Sequence, residues 1–320
     1  MGYPRRLYVP PDTPGVYHCM SRCVRRAFLC GEDPLTGRSF NHRKQWVEDR
    51  ILALAKSFAI AVHAYAVMSN HYHVVLETDP MAARKWSDEE TARRWLALST
   101  STATASAREA RLVALLAQPK RLAVLRQRLG NLSWFMRYLN EPIARHANRE
   151  DDCTGRFWEG RFACQALLDD VAVLACMVYV DLNPVRTGLV TTPETALHTS
   201  VRRRARAPHS PLHPLLPLAS SIRSQLLPVT TGHYLALVDW TGRTLHPGKK
   251  GAISTDAPPI LARLRLRPRQ WLIQVPATES HYWRAIGCTE ALLARAHITG
   301  LKWMRGIGMA RAVARAGSVT

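Results

Sequence analysis

The chain has 320 residues, of which 47% are hydrophobic and 21% are charged, a composition typical of a globular protein. It contains no run of about 18 uncharged apolar residues, so no transmembrane helix is predicted. Its first residues lack the apolar core of a signal peptide, and we expect a cytoplasmic protein. The formal net charge of +20 predicts a polyanionic partner, foremost nucleic acid, because neutralising phosphates releases counterions.

The seven cysteines are odd in number and widely spread, which favours reduced thiols in a chain without an export signal. Cys19, Cys23 and Cys30, with His18 beside them, invite a zinc interpretation. Their spacing fits no common zinc pattern, however. We expect these cysteines to act as small buried hydrophobic residues.

The first elements predict the order β, α, β, β. Residues 15–29 begin with β-formers and become basic at Arg22, Arg25 and Arg26. This pattern predicts a strand that ends in phosphate-contacting arginines, although a solvated basic edge is an equally good interpretation. Residues 41–58 have the apolar spacing of a helix.

The next stretch, residues 64–78, contains two apolar runs separated by a turn. The second run is rich in β-formers and opens with His71 and His73. Because side chains alternate along a strand, both histidines lie on one face and could bind a single cation. An isolated His-x-His pair is more often one core residue and one surface residue, so the pair needs a second element to gain meaning.

A predominantly helical region follows. Ser87-Asp-Glu-Glu90 is a capping-box signature and predicts the start of a helix. Residues 108–129 are dense in arginine and leucine, which predicts a helix that breaks or kinks at Pro119.

Two later segments interleave aromatic residues with arginines. Residues 131–148 predict a helix that is capped by Asn131 or Ser133 and contains Arg137. Residues 154–168 predict a short strand and contain Arg156 and Arg161. This mixture suits a surface on which bases stack and phosphates pair. An ordinary core-facing helix with exposed arginines is equally compatible with the first segment.

A helix capped by Asp169 and Asp170 is predicted to end at Pro184. On it, Tyr179 and Asn183 are four residues apart and therefore share one face. Taken alone, they are best interpreted as a packed tyrosine and a terminal amide.

Combined with the histidine pair, these two residues point to phosphodiester chemistry. His71, His73 and Asn183 can hold a divalent cation, which would polarise a phosphate oxygen. Tyr179 can then attack phosphorus, giving a phosphotyrosine and a free 3′-OH. Imidazole ligands make Mn²⁺ at least as acceptable as Mg²⁺.

Composition divides the chain into three parts. Residues 1–200 are the predicted catalytic domain, and residues 201–230, which include RRRAR and several prolines, are a predicted linker. Residues 231–320 are a predicted accessory region, mainly helical, without a catalytic constellation of its own.

His71-Tyr-His73 after Met-Ser-Asn, together with Tyr179-Val-Asp-Leu-Asn183-Pro-Val-Arg, resembles the REP-associated tyrosine transposase branch of the single-tyrosine HUH transposases. The resemblance covers roughly residues 10–195. It implies an α+β, ferredoxin-like core with a central antiparallel sheet flanked by helices. It also implies cleavage of single-stranded DNA near a hairpin through a 5′-phosphotyrosine link.

By that resemblance His71 and His73 are metal ligands, Tyr179 is the nucleophile, and Asn183 completes a site for Mg²⁺ or Mn²⁺. The expected partner is hairpin-containing single-stranded DNA, which implies nucleoid association and no membrane. A homodimer that shares its active sites is an open alternative. The arginines expected to contact DNA are Arg22, Arg25, Arg26, Arg137, Arg156, Arg161 and Arg186.

Three functional hypotheses follow. The first is a metal-dependent transposase or single-strand nickase that also rejoins DNA. The second is a domesticated DNA-binding protein with the same fold and lapsed nicking activity. The third is a metal-dependent hydrolase without a covalent intermediate, in which Tyr179 only packs.

Overall fold

The computed structural model describes residues 5, 8–24, 30–32, 37–99, 104–207, 210–224, 227–245, 261, 266–280, 282 and 284–318. Their centre is a six-stranded sheet. The strands are β1 (Gly15–Arg22), β2 (Ile60–Val67), β3 (His71–Thr78), β4 (Ala163–Leu167), β5 (Ala219–Ser220) and β6 (Ala285–Ile286).

Helices cover both faces of this sheet. They are α1 (Arg43–Ser57), α2 (Pro80–Arg84), α3 (Asp88–Leu96), α4 (Ala105–Leu116), α5 (Pro119–Leu129), α6 (Leu132–Glu150), α7 (Asp170–Arg186), α8 (Ser200–Arg206), α9 (Thr231–Leu245), α10 (Pro268–Ser280), α11 (Thr289–Ile298) and α12 (Ile307–Ser318). No helix in the described part of the chain is both long and apolar enough to span a bilayer.

The strand order is β5-β2-β3-β1-β4-β6, and the strands pair antiparallel except for β4 with β6. Strands β4-β1-β3-β2, with α1 and α6 on one face, form a ferredoxin-like unit. The predicted α+β fold class with a central antiparallel sheet is therefore confirmed.

Alternation along the strands separates two chemically different faces. On the α1 and α6 side, the Tyr72 hydroxyl donates to Asn140 Oδ1 at 2.6 Å, and the Asn140 amide donates to Ser21 Oγ at 2.9 Å. The opposite face carries His71 and His73 and is covered by α7. The tyrosine between the two histidines thus belongs to the core beneath the sheet.

Helix α7 begins as predicted but ends later. The Asp169 carboxylate accepts from the N–H of Ala172 at 2.8 Å, so the predicted cap is present. The prediction that the helix stops at Pro184 is wrong. Because this proline lies in the last turn, its missing N–H removes only one hydrogen bond, and the helix continues to Arg186. Gly188, with a φ of 75°, supplies the left-handed conformation that follows the helix.

The predicted kink at Pro119 is a break between two helices. Helix α4 ends at Leu116, and Pro119 occupies the first turn of α5, where its lack of an N–H costs nothing. The expected caps at Ser87 and Asn131 are both present, since each side chain accepts from main-chain N–H groups of the helix that follows.

Residues after 200 extend the sheet and cover α7. Strand β5 pairs with β2, and β6 pairs with β4. Helices α9 and α10 pack on α7, and the fully buried Trp271 donates to Thr241 Oγ1 at 2.9 Å. The domain boundaries at residues 200 and 230 stay a prediction. Cys19, Cys23 and Cys30 are buried.

Candidate active site

Strand register places three histidines and an arginine on one face of the sheet. In the antiparallel pairing of β1 with β3, Arg22 lies opposite His71 and Met20 lies opposite His73. His18, two residues before Met20, therefore shares that face. Its Nε2 lies 2.9 Å from Nδ1 of His73, so the two rings are hydrogen-bonded.

Helix α7 brings Tyr179 and Asn183 to the same place within one chain. The Asn183 amide nitrogen lies 3.4 Å from Nε2 of His73. The Tyr179 ring meets the His73 ring edge-on, with 5.7 Å between centroids, and the His18 ring at 6.1 Å. The two motifs separated by more than a hundred residues thus form one cluster.

The imidazoles are neutral and therefore able to bind a cation. Burial lowers the pKa of His71 to about 4, and the positive charges of Arg22 and Arg186 act in the same direction. Burial, together with the neighbouring histidines, also holds the pKa of His73 well below its ordinary value. A cation needs the lone pair of an unprotonated ring nitrogen, and both rings keep one at neutral pH.

Three polar atoms of this cluster fit a divalent cation. His71 Nδ1 lies 2.6 Å from Asn70 Oδ1 and must donate to it, which leaves Nε2 as an acceptor. Asn183 Oδ1 is buried and has no hydrogen-bond partner among the described residues. Two imidazole nitrogens and an amide oxygen form a donor set compatible with Mn²⁺. No group of three His, Cys, Asp or Glu side chains suited to a metal occurs in the part of the chain that the structure describes.

The surroundings of Tyr179 favour its protonated form. Its side chain is 3% exposed, and its buried hydroxyl has no hydrogen-bond partner within the described ranges. Burial raises the pKa of Tyr179, and the carboxylate of Glu279 on α10 raises it further, whereas Arg186 lowers it. The Arg186 guanidinium lies 5.5 Å from the tyrosine ring centroid and pairs with Glu279 at 2.8 Å.

The predicted DNA-contacting arginines divide into those at this cluster and those away from it. Arg22 and Arg186 flank His71 closely enough to lower its pKa, and the buried Arg22 Nε has no partner in the described part of the chain. Arg137 lies on α6, on the opposite side of the sheet, and pairs with Glu141 at 3.1 Å. The structure therefore brings two of the predicted arginines to the site and leaves Arg137 remote.

Two of the other predicted arginines lie in a loop. Arg156 and Arg161 are exposed in the segment before β4. That segment runs beside the end of β1, because the Glu159 N–H donates to the Arg22 carbonyl at 2.8 Å. Arg25 and Arg26 lie outside the described residues.

Sequence reasoning missed three residues of the cluster: His18, Gln165 and Glu279. The two-residue period places His18 on the face of β1 that carries Met20 and Arg22, but only the register of β1 with β3 relates that face to His73. Gln165 and Glu279 carry no comparable signal. Only the pairing of β4 with β1 and the packing of α10 on α7 bring them to the site.

Comparisons with known proteins give a structural likeness. No protein-family model matches the chain, and no curated protein does. The chain is similar to the solved structure of a REP-associated tyrosine transposase bound to a REP hairpin, a protein of the branch that its two motifs resemble. The identity is 15%, the TM-score is 0.35, and the match covers 66% of this chain and 89% of that one.

Proposed function

We propose that this protein is a metal-dependent, single-stranded DNA transposase that nicks and rejoins DNA through a covalent 5′-phosphotyrosine. The observation that supports it most is the meeting of Tyr179 and Asn183 with the His71 and His73 pair in one buried cluster. The buried Asn183 Oδ1 has no hydrogen-bond partner among the residues described and is available to a ligand, and the buried Tyr179 hydroxyl interacts with the neighbouring Glu279 carboxylate.

The proposed step exchanges one phosphorus–oxygen bond for another. The Tyr179 hydroxyl releases its proton to solvent, and its oxygen bonds to phosphorus while the bond to the 3′ oxygen breaks. The 3′ oxygen takes a proton from water and becomes a free 3′-OH. The phosphodiester energy is kept in the tyrosyl ester, so the same step in reverse joins a new 3′-OH.

The protein's own residues would orient the phosphate and offset its charge. Arg22 and Arg186 are positioned to pair with phosphate oxygens, and pairing of Arg186 with DNA would release Glu279. Losing that carboxylate from the neighbourhood of Tyr179 would favour the phenolate. His71, His73 and Asn183 would hold a Mg²⁺ or Mn²⁺ ion, whose contribution is to polarise a non-bridging phosphate oxygen.

The test is an adduct assay. The full chain is incubated with Mn²⁺ and end-labelled, hairpin-flanked single strands, and the products are separated under denaturing conditions. We expect a labelled protein band with the wild type and none with Tyr179→Phe. Tyr138→Phe is the matched control, because it removes a hydroxyl from a half-buried tyrosine on the other side of the sheet while keeping the ring.

Each other outcome points to an alternative. Cleavage without an adduct that persists in Tyr179→Phe supports a hydrolase in which the tyrosine only packs. Binding of hairpin DNA with no adduct on any substrate supports a domesticated DNA-binding protein. An equal adduct from wild type and Tyr179→Phe contradicts Tyr179 as the nucleophile.

A further inference from the structure

A series of hydrogen bonds runs along the sheet face that carries His18, His71 and His73, which we call the site face. It lies behind the proposed cation ligands. The Gln165 amide nitrogen lies 3.2 Å from the main-chain oxygen of Tyr282 and 3.4 Å from that of Thr278. Gln165 Oε1 lies 2.8 Å from His18 Nδ1, and His18 Nε2 lies 2.9 Å from His73 Nδ1. The series thus links the C-terminal region to the second histidine of the His-x-His pair.

The chemistry of each member gives the bonds a single direction. Carbonyl oxygens only accept, so the Gln165 amide nitrogen must face Thr278 and Tyr282, and its oxygen must face His18. That oxygen accepts from His18 Nδ1–H. A neutral imidazole carries one proton, which Gln165 Oε1 holds on Nδ1 of His18, so Nε2 of His18 is an acceptor. His73 Nδ1 must therefore donate to it.

We propose that Gln165 and His18 are positioning residues that place the ring proton of His73 on Nδ1. The Nε2 lone pair of His73 is then directed at the proposed cation site. The contact at His73 Nε2 is consistent with a lone pair on that atom. The Asn183 amide nitrogen lies 3.4 Å from it and can only donate a hydrogen bond. This inference deepens the proposed function, because it concerns a ligand of the same site.

Because His18 and His73 are buried, water does not compete for the hydrogen bonds of their ring nitrogens. His18 is 7% exposed and His73 is 2% exposed. A neutral imidazole can carry its proton on either nitrogen, and the partner of one nitrogen decides which one a metal can bind. In His71, the hydrogen bond from Nδ1 to Asn70 Oδ1 fixes the position of the ring proton independently. The two histidines therefore offer Nε2 by separate means.

The test reads the proton directly, in the full-length chain without DNA or cation. Ring ¹⁵N NMR distinguishes a protonated ring nitrogen from one with a lone pair, and His73→Gln identifies the His73 signals by their loss. We expect Nδ1 of His73 to be protonated in the wild type. His18→Phe keeps the ring volume but removes the acceptor, so the proton of His73 should leave Nδ1.

Two further variants separate positioning from mere packing. His18→Gln places an amide oxygen near the former Nε2 position and should restore the proton to Nδ1. Gln165→Leu removes the hydrogen bond between Gln165 and His18, and it should also shift the ring proton of His73 away from Nδ1. His198→Phe is the matched control, since it removes a histidine that bonds Glu48 on the other side of the sheet. It should leave His73 unchanged.

Cation affinity supplies the second measurement, by calorimetric titration with Mn²⁺. We expect His18→Phe to weaken Mn²⁺ binding by about 10–100-fold, the usual effect of removing a partner of a ligating histidine. His18→Gln should recover most of it. A wild-type His73 protonated on Nε2 overturns the inference, whatever the His18 and Gln165 variants show. So does a His18→Phe variant with unchanged His73 signals and affinity.

The two proposals fail in different experiments. Absence of a protein–DNA adduct removes the proposed function and leaves the position of the His73 proton as measured. An Nε2-protonated His73 removes the positioning role of Gln165 and His18, and leaves the adduct assay unaffected.

Discussion

At the scale of single residues, the site holds some of the buried polar atoms that lack a hydrogen-bond partner among the described residues. Tyr179 Oη and Asn183 Oδ1 are two of these atoms. A buried polar atom without a hydrogen bond costs about 1–3 kcal/mol. Such a cost is common where a fold reserves groups for a ligand, and it makes stability and function separable by mutation.

Asn183→Leu should therefore raise or preserve the free energy of unfolding while weakening Mn²⁺ binding. The expected gain is at most about 1 kcal/mol, because leucine has similar size and no unpaired oxygen but also loses the 3.4 Å hydrogen bond to His73 Nε2. Asn140→Leu is the control, since its amide is bonded to both Tyr72 and Ser21, and it should lose about 1–3 kcal/mol. Urea unfolding measures both. A loss at Asn183 as large as that at Asn140 would contradict this account.

The hydrogen bonds of Glu48 predict that its contribution to the free energy of unfolding depends on pH. Burial raises its pKa, but hydrogen bonds from His198 at 2.7 Å and Tyr65 at 2.6 Å outweigh burial, and the pKa lies below the ordinary value. A carboxyl whose pKa is depressed by folding stabilises the protein above the pKa of the unfolded chain. That stabilisation disappears as the pH falls through the folded-state pKa.

Glu48→Gln should accordingly lower the free energy of unfolding by about 1–3 kcal/mol at pH 7. The difference from wild type should shrink at a pH below both the ordinary glutamate pKa of about 4.3 and the lower folded-state pKa of Glu48. Urea titrations at both pH values measure it. Glu89→Gln, at an exposed ion pair with Arg93, should change stability by less than about 0.5 kcal/mol. A difference that grows in acid would reverse the assigned sign.

At the scale of elements, α7 is held by a charged residue on the side away from the sheet. Asp181 is fully buried, and its carboxylate accepts from the Val201 N–H at 2.9 Å, the Tyr234 hydroxyl at 2.5 Å and the Ser200 hydroxyl. These donors belong to α8 and α9. One side chain therefore fixes the position of α7, and with it Tyr179, relative to two later helices.

Tyr234→Phe should lower the free energy of unfolding by about 1–3 kcal/mol, because it removes one donor from a buried carboxylate without changing the ring. Tyr138→Phe, on a half-buried tyrosine of α6, should cost less. Chemical denaturation compares them. Equal losses would mean that the Tyr234–Asp181 hydrogen bond contributes nothing beyond the ring.

Element types were more predictable from sequence than their pairing. The helix at α1, the caps at Ser87 and Asn131, and the shared face of Tyr179 and Asn183 all follow from local spacing. Strand register does not, because it depends on long-range contacts among β1, β3 and β4. The histidine pair was therefore recognisable, whereas its partners His18 and Gln165 became visible only through register.

At the scale of the whole molecule, the net charge of +20 is the feature most relevant to DNA binding. Binding that neutralises six to ten phosphates should weaken by about 10³–10⁵ between 50 and 200 mM salt. Fluorescence anisotropy with a hairpin-flanked single strand measures this. Arg186→Gln should reduce the salt slope by about 1, while the remote Arg137→Gln should leave it unchanged. A flat salt response would contradict a phosphate-dominated interface.

The hydrogen bonds from Gln165 to the main-chain oxygens of Thr278 and Tyr282 also affect when the site becomes complete during synthesis of the chain. Asn183 and Tyr282 are about 100 residues apart, which takes about 5–20 s to synthesise at 5–20 residues per second. During that interval a growing chain possesses Tyr179 and both histidines but lacks the carbonyls that orient Gln165. On the proposed function, a nascent chain would hold Tyr179 and both histidines before His73 gains its oriented partner, and nicking would wait until the segment around Tyr282 has been made.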